Sequence, residues 1–440
     1  MAIKDIIEKL YLYDFAPVSP ASDDAIETFC SELQFQVHET PSGTEKNGWL
    51  VPQSWCYTKA KIQKDGKDVY DGRTHPLGVV GYSPSFKGRV DLSILKEHLF
   101  YSLDWEEDIV FHCTHFFRPS ERTWGFCVPK NIYDSLEEGF YDVEIESRES
   151  QGTMKILEYS IPGETSDTIV FHAHNCHPGQ ANDDLSGCAV GIEFFKRLAL
   201  MKKRKYTYTL LISPELFGSF YWLDRLNDEQ RMKLKYAVML KSLGNNSPLK
   251  LQRSYFGNTE LDLSARNSIK HIDRNYTEGA FRRVYGNDET IFEAPGYEIP
   301  TISLTRFPFP EYHTSRDTPA IILESKLEEV VTVLVNMIFA LEHNFAMKAK
   351  FKGLLALSHP RYNLYQPFWN PADKSNPRPG QSMDWHYLMI DMFRDFNERT
   401  RLLEISERHN LPFQDVFAYL SKLRDSDAIE FIENKHNEEK

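Results

Sequence analysis

Thr168-Ile169-Val170-Phe171-His172-Ala173-His174-Asn175-Cys176-His177-Pro178-Gly179-Gln180-Ala181-Asn182-Asp183-Asp184-Leu185-Ser186-Gly187 is the stretch that decides the fold. It opens as a compact apolar run of strand length and turns polar. It then leads into 186–201, where Cys188, Ile192, Phe195 and Ala199 recur at helical spacing. A strand followed by a loop and a helix start is the repeating unit of an α/β sheet, and ligands in such sheets gather at the carboxyl ends of strands. Imidazole and carboxylate groups suit Zn2+, which takes three or four of them at about 2 Å. A lone histidine here would ordinarily be a core or capping residue. Three of the fifteen histidines within six residues, beside two aspartates, point instead to a metal.

Outward from this stretch, 206–213, 236–243 and 299–306 are further strand candidates. A long helix follows from Ser325, with Ser325 and Glu328 set as a capping box and Val330, Leu334, Ile338 and Leu341 on one face. Strands alternating with helices predict an α/β domain with a mostly parallel sheet. Two more polar groups fall where ligands are expected. Glu215 stands in Ser213-Pro214-Glu215-Leu216-Phe217-Gly218-Ser219 after a strand, as ligand or general base. Glu311-Tyr312-His313-Thr314-Ser315-Arg316-Asp317 follows the strand at 299–306, with Asn287-Asp288-Glu289 upstream.

The remainder has a different texture. Residues 1–48 read as helix, turn, helix, with a polar loop at 40–48, and 49–163 are rich in short strands and turn signals such as Asp65-Gly66 and Asp71-Gly72. The alternation Val110, Phe111, His112, Cys113, Thr114 belongs to this β-rich unit. A linker containing Pro367, Pro371 and Asn376-Pro377-Arg378-Pro379-Gly380 precedes a helix at 384–397 and a helix-turn-helix at 402–409 and 413–423.

At 440 residues the chain exceeds one ordinary core, so two or three domains are expected. A formal charge of −13 disfavours nucleic acid and anionic membrane as partners. From 383 to 440 there are thirteen acidic residues against eight basic ones, so the helix-turn-helix lacks the basic face a DNA reader needs. It reads as an intramolecular or homo-oligomer-forming module. No run of eighteen apolar residues predicts a membrane span, and 1–15 lacks the apolar core of a signal peptide. Six cysteines without CxxC spacing read as free thiols in a reducing cytoplasm.

The order of the motifs resembles the M28-type zinc aminopeptidases. The residues that carry it are Ala181-Asn182-Asp183-Asp184-Leu185-Ser186-Gly187, Glu215 with Gly218-Ser219, Asn287-Asp288-Glu289, and Tyr312-His313-Thr314-Ser315-Arg316-Asp317. More closely, Cys176-His177-Pro178 with Ala181-Asn182-Asp183, the single Pro214-Glu215 and a unit opening with Gly48-Trp49 resemble the bacterial aminopeptidase-like DUF4910 group with its DUF2172 insert. This implies a mixed, mostly parallel sheet with helices on both faces, built from 1–48 and 164–360. It also implies an inserted β-rich domain at 49–163 and a winged-helix domain at 380–440.

The resemblance further implies that Asp183 is the metal-bridging aspartate and His313 the closing metal histidine. His174 stands where the family's first ligand histidine lies, but Cys176 replaces the aspartate expected two residues later, so His174 and His177 compete. Two-metal members have adjacent glutamates, one a base and one a ligand; here Pro214 precedes Glu215, which is left with either role. The last acidic ligand is expected after 236–243, where Gly244-Asn245-Asn246 stand, and Asp288 is a candidate proton shuttle. The ligand candidates are thus His174, His177, Asp183, Glu215 and His313, holding one Zn2+ as in the related glutaminyl cyclases. The expected function is a zinc-dependent, aminopeptidase-like hydrolase cleaving a small peptide or amide with a metal-activated water. The alternatives are an amidase acting on an amino sugar or glycan precursor, since similar proteins are often linked to surface polysaccharide, and a non-catalytic binding protein.

Overall fold

Thr168–His174 forms the inner strand of an eight-stranded sheet in the computed structural model, which describes residues 2–112, 121–365 and 383–433. The strands are β1 (Gln36–Pro41), β2 (Thr153–Ile161), β3 (Thr168–His174), β4 (Thr207–Ser213), β5 (Leu234–Lys241), β6 (Lys250–Gln252), β7 (Thr277–Gly279) and β8 (Thr301–Thr305). Their spatial order is β1-β2-β4-β3-β5-β8-β6-β7. The centre is parallel: β3 pairs with β4 and β5, and β5 with β8. Antiparallel strands β1 and β2 extend one side, and β6 runs antiparallel to β8 on the other. The fold is a mixed α/β sheet flanked by helices.

Side chains alternate along a strand, so β3 serves two faces at once. Phe171 packs on Phe194 and Phe195 of the helix Ser186–Ala199. Val170, one residue earlier and therefore on the opposite face, joins Phe217, Phe220 and Trp222 of the helix Phe217–Arg225 in a second cluster. Six of the seven β3 residues are buried, which is why the strand reads as a continuous apolar run. Gly191 lets the first helix approach: a Cβ there would lie 2.9 Å from Leu210.

The β-rich stretch builds a four-stranded antiparallel sheet in the order Lys67–Asp71, Ser54–Lys64, Phe140–Ser150, Phe86–Asp91. Trp55, Ile62, Trp124, Tyr141, Val143 and Ile145 bury a core of their own beneath it. Of the alternating run at 110–114, Cys113 and Thr114 lie outside the described residues.

The chain divides into two compact units, one of 1–255 with 277–331 and one of 256–276 with 332–440. The second contains an antiparallel sheet of Asn397–Arg401, Ala346–Ala349 and Ile429–Ile432, with the helices Leu402–Arg408 and Phe413–Asp425. Leu388, Met392, Leu402, Ile405, Phe413 and Leu420 form its core. Its first strand thus lies upstream of the Pro-rich linker, whose residues 366–382 lie outside those described.

Three local expectations are corrected. Residues 1–48 also contain β1, an edge strand of the main sheet, because Val37 and Thr40 register with Leu157 and Met154 of β2. The long helix starts at Glu324, so Ser325 lies inside it and cannot be its cap. Glu324 instead receives the backbone N–H groups of Ile3 and Lys4 at 2.7 and 3.0 Å. The helix expected at 384–397 is shorter, Met383–Asp391, and the chain is already a strand by Asn397. Among the described residues no helix is long and apolar enough to cross a membrane.

Candidate metal centre

Four strand ends deliver the site. β3 ends at His174, β4 runs into Glu215, β5 ends at Lys241, and the loop after β8 carries His313. Between β3 and its helix the chain makes an irregular turn at Ala181–Leu185, where Asp183 has φ −112° and ψ 81°. Two buried carboxylates hold that turn. Asp317 accepts from the backbone N–H of Asn182 and Asp183 at 2.6 and 3.0 Å. Asp184 accepts from the N–H groups of His174, Gly187 and Ser242 at 3.3, 3.1 and 2.9 Å, tying the loop to the ends of β3 and β5. Gly187 is obligatory here, since a Cβ would stand 2.5 Å from Asp184 Oδ1 and from the Leu240 carbonyl.

Asp183 is fully buried at the centre. His177 Nε2 and His313 Nε2 approach its Oδ2 at 3.5 and 3.1 Å, and the three side chains form one group able to hold a metal ion. His177 Nδ1 faces the Pro178 carbonyl at 3.0 Å and must donate to it. In the neutral ring Nε2 is then the lone-pair nitrogen; it is buried and has no hydrogen-bond partner. Two lone-pair atoms facing each other in a buried site call for a cation between them. Imidazole, imidazole and carboxylate are a donor set that Zn2+ takes. Burial alone would raise the Asp183 pKa; the Lys241 ammonium opposes it, and the carboxyl is held well below its usual range. Burial depresses the His313 pKa, which keeps the ring neutral and able to ligate.

Aromatic rings enclose this group. Phe111 stacks on His177 with ring centres 4.4 Å apart, and Tyr312 stacks on His313 at 3.8 Å. Phe111 arrives from the inserted sheet's side of the chain, its backbone N–H donating to the His313 carbonyl at 2.8 Å while Ser315 N–H donates to Ile109 at 2.7 Å. This antiparallel bridge between Val110 and Thr314 also fixes His313 in a left-handed conformation with φ 55°.

His174 does not join that group. Its Nε2 lies 3.4 Å from the other Asp183 oxygen, Oδ1, and meets the Lys241 ammonium, which also contacts Oδ1. Lys241 is 1% exposed. Its only acceptor at His174 is the Nε2 lone pair, so the imidazole proton sits on Nδ1, 3.6 Å from Cys176 Sγ. Burial and the neighbouring ammonium push the His174 pKa down to about 3. His174, Cys176 and Glu215 form the second group of potential ligands.

Glu215 sits in a tight turn. Leu216 has φ 62° and ψ −51°, a strained conformation for a bulky residue, and Gly218 is required because a Cβ there would lie 2.1 Å from Ser213 Oγ. Asp288 accepts from Leu216 N–H at 2.9 Å and from the Ser219 hydroxyl, and so props the turn that presents Glu215. Burial raises the Glu215 carboxyl to about 7 and Asp288 to about 6.

Sequence reasoning placed the site at these strand ends but missed Lys241. β5 ends at Lys241, ahead of Gly244-Asn245-Asn246, and Lys241 is the residue that faces Asp183 there. A lone lysine ending the apolar run Tyr236–Leu240 was the available signal.

A family model described as "Domain of unknown function (DUF4910)" matches residues 4–344. The chain belongs to the DUF4910 family. A relative from Clostridium acetobutylicum, described as "Putative polysaccharide biosynthesis protein with aminopeptidase-like domain", is 28% identical over 345 residues, 78% of each chain. The crystal structure of a "putative peptidase" from the same organism superposes with a TM-score of 0.81 at 25% identity, covering 98% of this chain and 96% of that one. The Bacillus subtilis zinc aminopeptidase BSAP superposes with a TM-score of 0.59 at 13% identity, covering 77% and 94%. This DUF4910 chain therefore has the fold of the zinc aminopeptidases, and its candidate ligand groups stand at strand ends of that fold.

Proposed function

We propose that this chain is a zinc-dependent hydrolase of an amide bond, with His177, Asp183 and His313 holding a single ion. The observation that carries the reading is the convergence of the His177 and His313 nitrogens on Asp183 Oδ2, with His177 Nε2 buried and without a hydrogen-bond partner. A zinc ion there supplies Lewis-acid polarisation of a carbonyl and a lowered pKa for water. The protein's own residues do the rest. Glu215, raised to about 7 and held by the Asp288-propped turn, takes the proton from the attacking water and returns it to the leaving nitrogen. Asp288 positions Glu215 through Leu216 and Ser219. His174 serves as an acceptor for Lys241.

The decisive experiment compares zinc-loaded wild type with Glu215→Gln on a panel of aminoacyl amides and N-acyl amino sugars. Turnover by the wild type, lost in the variant with zinc retained, is expected. Absence of turnover on every substrate by a zinc-loaded wild type would overturn the hydrolase reading and leave a binding protein. Within the panel, N-acyl amino sugars are the second candidate class, favoured by the polysaccharide-biosynthesis description of the relative.

A further inference from the structure

The two oxygens of Asp183 look toward two separate cation positions. Oδ2 faces His177 and His313, at 3.5 and 3.1 Å. Oδ1 faces His174 at 3.4 Å and is in contact with Lys241 Nζ. We propose that the Lys241 ammonium is a tethered cation occupying the second of these positions, so that the centre is built to hold one metal ion and to exclude a second. This rests on the reading of His177, Asp183 and His313 as a zinc site.

Three observations support it. First, the atoms that a second ion would need are already engaged. His174 Nε2 accepts from the ammonium, and Asp183 Oδ1 is bound to it, so neither is open to an ion on the Oδ1 side of the carboxylate. Second, Lys241 is not a surface side chain that can swing aside. It is 1% exposed, ends β5 in register with Thr305 of β8, and lies 4.9 Å from the centre of the Tyr285 ring. A desolvated ammonium over an aromatic face is held there as well as by the carboxylate. Third, a divalent ion placed beside a buried ammonium meets a like charge at a few ångströms, in surroundings that screen it poorly. The residue following Lys241 is tied down as well. Ser242 takes a left-handed φ of 53° while its N–H donates to Asp184, so the end of β5 is locked to the turn carrying Asp183.

The test is metal stoichiometry, read without activity. Apo full-length protein is dialysed against excess Zn2+ and the bound metal is measured by mass spectrometry for the wild type, Lys241→Arg and Lys241→Asp. One ion per chain is expected for the wild type and for Lys241→Arg, and two for Lys241→Asp, which exchanges the cation for a ligand. Two ions in the wild type, or one in a folded Lys241→Asp, would overturn the inference while leaving the zinc site standing. No ion in the wild type would overturn the zinc reading and the inference with it. Should Lys241→Asp fail to fold, Co2+-substituted wild type decides alone. An isolated high-spin signal that excess Co2+ leaves unchanged is expected, and its loss through coupling between adjacent ions would refute the proposal.

Discussion

Replacing Asp317 with alanine removes an acceptor that two successive peptide groups share. Asp317 is buried and receives the N–H groups of Asn182 and Asp183 at 2.6 and 3.0 Å. Each donor left buried and unpaired costs about 1–3 kcal/mol, so the pair costs about 2–6 kcal/mol unless water enters the vacated space. That is a large part of the roughly 5–15 kcal/mol by which a domain is ordinarily stable. The same two bonds orient the turn from which Asp183 projects, so loss of the carboxyl also loosens the metal site. Partners of this kind typically change metal affinity roughly 10–100-fold. The assays are urea unfolding with zinc present and competition for zinc with a chromophoric chelator. Asp317→Asn, which retains one carbonyl acceptor, should fall between the wild type and the alanine variant on both. The reasoning fails if Asp317→Ala keeps wild-type zinc affinity and loses less than about 1 kcal/mol.

Three further outcomes follow from the same geometry. Burial lifts the Glu215 carboxyl to about 7, so its basic form predominates above that value. kcat/KM should therefore rise with pH and fall about tenfold per unit below the midpoint, which a bound cation moves downward. A profile flat from about pH 5 to about pH 8 would remove Glu215 as the base. Stripping zinc with a chelator should lower the melting temperature reversibly, because Asp183 Oδ2 is left facing the lone pair of His177; zinc at 100 times its Kd should restore about 2.7 kcal/mol. Asp288→Asn weakens the prop beneath Leu216 and Ser219, and should lower kcat roughly 10–100-fold without changing the zinc bound per chain.

How much of this was legible in the sequence depended on how local the signal was. The stretch from His172 to Gly187 could be read because three histidines and two aspartates stand within thirteen residues, between a strand and a helix of clear periodicity. His313 was reachable through its position after a strand. The division of labour between His174 and His177 was not, because it depends on which Asp183 oxygen each ring meets and on where β5 places Lys241. In sequence that lysine is one charge at the end of an apolar strand, and such residues usually extend to solvent. β1 was hidden for a related reason. An edge strand with one buried residue has no apolar run to announce it, and only pairing with β2 defines it. Phe111 could be read as a core aromatic but not as the ring lying on His177, since its position comes from a bridge to residues two hundred positions away.

The Lys241–Asp183 contact also bears on which charges the centre can receive. A peptide presented by its amino terminus brings an ammonium group close to the bond to be cut, and something negative must receive it. On the Oδ1 side of Asp183 the carboxylate already answers a lysine, and an ammonium arriving there would meet its own charge. A hydroxyl, a carbonyl or a carboxylate would meet a donor instead. If the chain hydrolyses amides, substrates whose group beside the scissile bond is neutral or acidic should therefore be turned over in preference to those with a free amino group there, which the substrate panel reads directly.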